Sequence, residues 1–377
     1  MTARPILHNA FCDFLGVEYP ILLAGMGVGG RATPPRLVAA VSQAGGAGIL
    51  GCSGLSPEET RKRIREVRAL TDRPFGVDLL LPARIADAPD TRSGVREEIR
   101  RRYPEHAAFV KTLLRRFDLP EVLPENETVV NVEYAKRVIE VVLEERVPIF
   151  ASGLGDPEFL APRARAQGMK LIGLSGSVRN AVRQRKSGVD AIVAQGTEAG
   201  GHTGTVASLP LIPQVVDAVS PTPVIAAGGI GDGRGIVAAL ALGAQAAWLG
   251  TAFLVADECE IFDASKQQIV AADSESFRVS KVWTGKTVRA FHSEISQAWA
   301  ESGLPTLDTP YQRILMEDLL AAALAAGRHD LFYNIAGQVG GMLKTRRPAK
   351  DIMADLVDGA IDELRRLQRD VRISLAP

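Results

Sequence analysis

Val224-Ile-Ala-Ala-Gly-Gly-Ile-Gly-Asp-Gly233 runs from a short apolar strand into glycines and then into a helix starting near Asp232. One helix later, Ala246-Ala-Trp-Leu-Gly-Thr251 brings a second apolar strand onto a glycine. Glycines let a phosphate approach backbone N–H groups, and a helix N-terminus adds a favourable dipole. Each segment alone is also explained by a glycine that ends a strand for steric reasons. Their order decides the matter, because in eightfold barrels the loops after strands seven and eight often form one phosphate site.

Counting back confirms that order. Apolar, β-branched runs at Tyr19–Gly25, Ala47–Gly51, Phe75–Leu80, Val147–Ser152, Lys170–Ser175 and Ala191–Gln195 precede Pro223–Ala227 and the run from Ala246 to Phe253. Helical patterns at 34–44, 57–70, 157–167, 178–186, 209–219 and 232–242 alternate with them. Ser56 reads as the N-cap of its helix, with Pro57 at the first helical position. Repeated βα units with apolar strands call for a parallel sheet, and eight of them for a closed (β/α)8 TIM barrel, an α/β fold. The open doubly wound alternative needs a G-x-G-x-x-G fingerprint after the first strand. Gly25-Met-Gly-Val-Gly-Gly30 departs from it.

Two stretches fall outside the rhythm. Residues 82–146, rich in Arg and Glu with Tyr103, Phe109 and Phe117, read as an insertion of two or three amphipathic helices after strand three. Loops on that face of a barrel become lids; a solvated excrescence or a dimer contact is the alternative. Residues 259–377 read as a mainly helical part packed on the barrel, which itself comprises 1–81 and 147–258.

Composition limits the function. Of 377 residues 46% are apolar and 23% charged, the balance of a globular protein with a core. The net charge of +0 disfavours a nucleic-acid partner and gives weak support to a homodimer. Cys12, Cys52 and Cys259 lack ligand spacing and read as free thiols in a reducing compartment, so a cytoplasmic location is expected. The uncharged span from Gly235 to Ala256 is long enough for a bilayer, but it reads better as a small-residue helix, a break at Gly243 and a buried strand, so no membrane partner is expected.

The chemistry centres on Gln195-Gly-Thr-Glu-Ala-Gly-Gly-His-Thr-Gly204, which follows the sixth strand directly. Four glycines bring backbone close to a ligand, and His202 is held among them as a base or hydrogen-bond donor. No second His or Cys stands at ligand spacing, so no metal is expected. Ser175-Gly-Ser177 is the nearest approach to a hydrolase nucleophile and reads as a loop and N-cap.

Together these segments resemble the nitronate monooxygenase family, once called 2-nitropropane dioxygenases. The resemblance is carried by Pro20–Met26, Gly76–Leu79, Ala194–His202, Ala226–Ile230, Leu249–Thr251 and Ala336–Gly340. Flavin-type enoyl-acyl-carrier-protein reductases and some quinone reductases share much of the pattern. The resemblance implies FMN as cofactor and a small-molecule substrate with O2 as partners. It implies backbone contacts to the flavin from Ala24, Gly25 and Met26, and a position near it for Gln195. Gly200 and Gly201 would approach the ribityl chain or phosphate, while Gly228, Gly229, Gly250 and Thr251 would hold the phosphate. His202 would face the substrate. In the family reaction a nitronate yields a carbonyl compound and nitrite; the histidine would deprotonate a nitroalkane or orient the nitronate.

Two departures bear on the substrate: the length of the 82–146 insertion, and Asp78 where the family commonly has Asn. A carboxylate beside a flavin alters its electrostatics, needs a cationic partner, or serves as a second catalytic acid/base group. The alternatives to a nitronate monooxygenase are an NAD(P)H-dependent reductase of enoyl thioesters or quinones, and a non-catalytic barrel that binds a phosphorylated ligand.

Overall fold

The structure is a computed structural model and describes residues 7–27, 30–81, 88, 89, 91–124, 127 and 129–371. The first residues of the chain, two residues of the glycine loop after the first strand and parts of the 82–146 stretch lie outside the described residues.

Eight strands are parallel: β1 (Ile21–Leu23), β2 (Gly48–Gly51), β3 (Phe75–Leu80), β4 (Ile149–Gly153), β5 (Lys170–Ser175), β6 (Ala191–Gln195), β8 (Val224–Ala227) and β9 (Ala246–Leu249). The two-residue strand β7 (Gly201–His202) stands apart from them. The hydrogen-bonded order is β1-β9-β8-β6-β5-β4-β3-β2. The ring closes where Leu22 pairs in parallel with Ala47, with Leu23 N–H donating to Ala47 O at 2.9 Å. The expected (β/α)8 barrel is the fold.

Its strands are apolar on both faces because both are covered. Leu22, Ile49, Ala151, Ile172, Val193, Ile225 and Trp248 fill the interior, together with Phe11, Cys12 and Leu15 from a short helix, Ala10–Leu15, that sequence reading missed. That helix plugs the N-terminal end, where Asn9 Nδ2 donates to Gln245 O just before β9. The outward set, among them Leu23, Leu50, Val77, Phe150, Ile192 and Ala226, packs against the helices.

The helix starts follow local chemistry. Ser56 Oγ accepts from Glu59 N–H, with Pro57 at the first position of Pro57–Leu70. Asp232 Oδ1 accepts from Arg234 and Gly235 N–H and opens Gly233–Ala241. The uncharged 235–256 span divides at Gly243, whose φ is +93°. The last strand ends at Leu249, earlier than expected, and Thr251–Leu254 turns into a short helix. Among the described residues no helix is long and apolar enough to cross a membrane.

The 82–146 stretch holds helices with two allegiances. Val132–Glu144 places Tyr134, Val138, Ile139 and Val142 in the barrel's outer core, and Arg61, Arg65 and Arg68 of Pro57–Leu70 bind Glu145 at its end. It is packed as the barrel helix after β3. Arg92–Arg102 and Pro104–Arg116 instead build a second core with the C-terminal part, joining Val95, Ile99 and Leu113 to Trp299, Met316 and Leu319. The C-terminal part also contains a hairpin, β10 (Phe277–Ser280) and β11 (Val288–Phe291), paired antiparallel with β7. Strands of two to four residues leave too few alternations to be read from sequence.

Candidate active site

A cavity of about 1080 Å³ opens at the C-terminal ends of the barrel strands. All the residues singled out in the sequence line it: Ala24, Gly25 and Met26 after β1, Asp78 on β3, Gln195 on β6, Gly200, Gly201 and His202, Gly228 and Gly229 after β8, and Gly250 with Thr251 after β9.

One wall is backbone. Gly228 and Gly229 have φ of +88° and +73°, a region in which only glycine is unstrained. A Cβ on Gly228 would lie 2.9 Å from Gly196 O. The wall is pinned from behind. Glu198 Oε1 and Oε2 each accept from Ser208 N–H at 3.0 Å, and Ser208 Oγ sits 2.9 Å from Gly228 O. Gly337 N–H donates to Thr251 Oγ1 at 2.9 Å and Gln338 N–H to Glu198 O at 3.0 Å. The Ala336–Gly340 motif therefore ties Thr251 to the Gln195–Gly204 segment. A cradle of left-handed glycines beside a helix N-terminus fits a phosphate.

A second wall is made of side chains. His202 lies on β7 rather than in an irregular loop, its register set by Val288 of β11. Gln195 Nε2 donates to His202 O at 2.7 Å, and His202 Nε2 is 3.3 Å from Thr284 Oγ1. Burial, then Lys286, then Arg313, push the imidazole down to about 4, so it is neutral at ordinary pH. Lys286 itself is held below its usual value by burial and by Arg313. Arg313 Nε donates to Glu317 Oε1 at 2.7 Å, and Glu317 Oε2 accepts from Arg92 Nη1 at 2.6 Å. Arg92 comes from the helices after β3 and lines the same cavity, so that segment contributes a charge to the site.

Lys286, Arg313, Glu317 and Arg92 were not anticipated. Arg92 sits in an arginine-rich run where any one cation is inconspicuous. The usable signal was Arg313 and Glu317, which stand four residues apart on a mostly apolar helix, Tyr311–Ala325, whose one other charge is Asp318.

Asp78 lies beneath Gly25. A Cβ on Gly25 would come within 2.2 Å of Asp78 Cβ, so the glycine makes room for the carboxyl. Asp78 is 7% exposed, and its buried Oδ1 has no hydrogen-bond partner. Burial pushes its carboxyl up to about 8. The cationic partner considered from sequence is absent among the described residues.

Comparisons with known proteins place the chain in a family. The nitronate monooxygenase family model matches residues 8–359. A Mycobacterium tuberculosis protein named as a monooxygenase is 37% identical, over 96% of this chain and 99% of its own. A Staphylococcus aureus protein named as a nitronate monooxygenase is 32% identical, over 93% and 96%. Among solved structures, a nitroalkane oxidase from Streptomyces ansochromogenes superposes with a TM-score of 0.81 at 28% identity, covering 95% of this chain and all of its own. FabK from Thermotoga maritima gives 0.75 at 29% identity, covering 97% and 99%. The chain belongs to the nitronate monooxygenase family, and it is an oxidoreductase of the flavin-dependent kind that this family comprises.

Proposed function

We propose that the chain binds FMN and oxidises alkyl nitronates with O2 to a carbonyl compound and nitrite. The observation that carries this reading is a neutral His202 facing the same cavity as Lys286 and Arg313. An imidazole held near 4 is a poor base for a weak carbon acid, whereas two half-buried cations favour a substrate that arrives as an anion. The nitronate, not the parent nitroalkane, is then the species bound. His202 orients it through its ring nitrogens, Lys286 and Arg313 balance its charge, and Gln195 and Thr284 hold the histidine in place.

The glycine wall at Gly228, Gly229, Gly250 and Thr251 would hold the FMN phosphate, with Ala24, Gly25, Met26, Gly200 and Gly201 bringing backbone to the rest of the cofactor. Bound there, the flavin supplies the electron acceptor for the substrate and the group that passes electrons to oxygen.

The test is oxygen uptake and nitrite release by the FMN-saturated protein given alkyl nitronates. Turnover on nitronates, little on the neutral nitroalkanes, and a loss of about 100-fold or more in His202→Asn with flavin retained are expected. No oxygen uptake with any nitronate overturns the reading. The likeness to FabK supports one second reading, an NAD(P)H-dependent reductase; rapid anaerobic bleaching of the flavin by NADH or NADPH would favour it over the first.

A further inference from the structure

We propose that Asp78 serves the cofactor as a neutral acid, donating its carboxyl O–H to an acceptor atom of the flavin, and that this single proton makes cofactor binding sensitive to alkaline pH. The inference rests on the FMN reading above.

Three features of the site converge on it. The first is placement. Asp78 is on the inward face of β3, at the level of Gly51 on β2 and Ala151 on β4, and it lines the cavity beside the Ala24–Met26 backbone. The second is the space reserved for it. Gly25 lacks the Cβ that would collide with Asp78, so the carboxyl is packed against the very backbone that faces the cofactor. The third is an unmet demand. Oδ1 is buried with no donor or acceptor among the described residues, and a buried polar atom left unpaired is costly.

An ionised carboxylate does not suit this pocket. On the neighbouring strand the titratable side chain is Cys52, next to Gly51, the β2 partner of Asp78, and burial pushes its thiol up to about 12. Facing the cavity from other elements are Arg31, Arg92, Arg183, Glu198, His202, Lys286, Arg313, Glu317 and Tyr333, and none of them forms a hydrogen bond or ion pair with Asp78 among the described residues. With burial the cause acting on it, the group keeps its proton through neutral pH. A carboxylic acid held neutral by an apolar setting is a good hydrogen-bond donor. It then offers a carbonyl oxygen and an O–H in the shape of an amide, which is how an Asp here performs the work of an Asn.

The experiment is a titration of the full chain with FMN, read by quenching of flavin fluorescence and by the flavin absorption bands, from about pH 6.5 to about pH 9.5. Wild type, Asp78→Asn and Asp78→Ala are compared. In wild type the dissociation constant is expected to be flat at first and then to rise by about tenfold or more as the acid ionises. Asp78→Asn should bind within about threefold of wild type at neutral pH and lose that alkaline rise, because an amide donor does not titrate. Asp78→Ala should bind about five- to tenfold more weakly than wild type at neutral pH and show no alkaline slope, so that the two converge as the wild-type acid ionises. A wild-type constant that stays flat, or an Asp78→Asn constant that rises in parallel with wild type, overturns the proposal. Failure of wild type to bind FMN at any pH overturns instead the reading on which it rests.

Discussion

The two walls of the cavity are built on different principles. The glycine wall works through backbone conformation: Gly228 and Gly229 are at positive φ, and the atoms they offer belong to every peptide. The histidine wall works through side chains that come from far apart in the chain, His202 from β7, Lys286 from the β10–β11 turn, Arg313 from Tyr311–Ala325 and Arg92 from the helices after β3. A backbone site tolerates almost no change of residue at its few positions. A side-chain site tolerates substitution of shape but not of charge.

The largest effect that would test the contrast is at Gly229. A valine there meets the cost of left-handed backbone for a β-branched residue and moves the N–H groups that face the cavity. FMN affinity should fall by about 10- to 100-fold, corresponding to the roughly 1–2 kcal/mol cost of that conformation and the lost phosphate contacts. Riboflavin, which lacks the phosphate, should be affected much less. Equal losses for FMN and riboflavin, measured by the same fluorescence titration, would break the assignment of this wall to the phosphate.

The same contrast explains what could be read from sequence. The barrel and the glycine wall were legible because both are local: an apolar run, a glycine, then a helix cap such as Asp232. His202 was legible because its glycines are contiguous with a strand end. Lys286 and Arg313 were not, since nothing in Trp283-Thr-Gly-Lys-Thr287 or in Tyr311–Ala325 indicates that tertiary packing turns both cations toward one imidazole. Asp78 was visible as an unusual residue, but its protonation depends on the burial around it. The helix Val132–Glu144 was read as part of an insertion because the irregular chain before it hides its rhythm; its buried Tyr134, Val138, Ile139 and Val142 follow the spacing of a helix on a barrel.

A middle-sized effect tests the charge on the second wall. Lys286→Met keeps the length of the side chain and removes its charge. The KM for nitronate should rise by about tenfold, with a smaller change in kcat, because the lost interaction is made with the ground-state anion as well. Lys286 also helps to hold the imidazole proton off, so the His202 pKa should move up while staying below its ordinary value, since burial remains. An NMR titration of the His202 ring in the variant checks the direction; a downward shift would contradict the site's electrostatics.

The smallest expected effect separates two titrating groups of the cavity, His202 and Asp78, by sign. Burial pushes the His202 imidazole down to about 4 in the fold from its ordinary 6.5, so between those values the unfolded chain binds a proton that the fold refuses. Its contribution to stability is therefore complete above about 6.5 and is lost as pH falls toward 4. Asp78 titrates near 8 against 3.8, so the fold keeps a proton that the unfolded chain releases, and its contribution declines as pH rises through that range. Between about pH 4 and 6.5 the two slopes oppose one another in the wild type. Removing one member exposes the other. His202→Asn should lose Tm relative to wild type as pH rises across that window, and Asp78→Asn should gain it, each by about 3 °C or more. Thermal melts of the flavin-free chain at a series of pH values read this directly. Parallel profiles for all three proteins would mean that neither group titrates as its surroundings require. Opposite divergence would show that one cavity carries two groups, both neutral at pH 7, that reach neutrality from opposite sides.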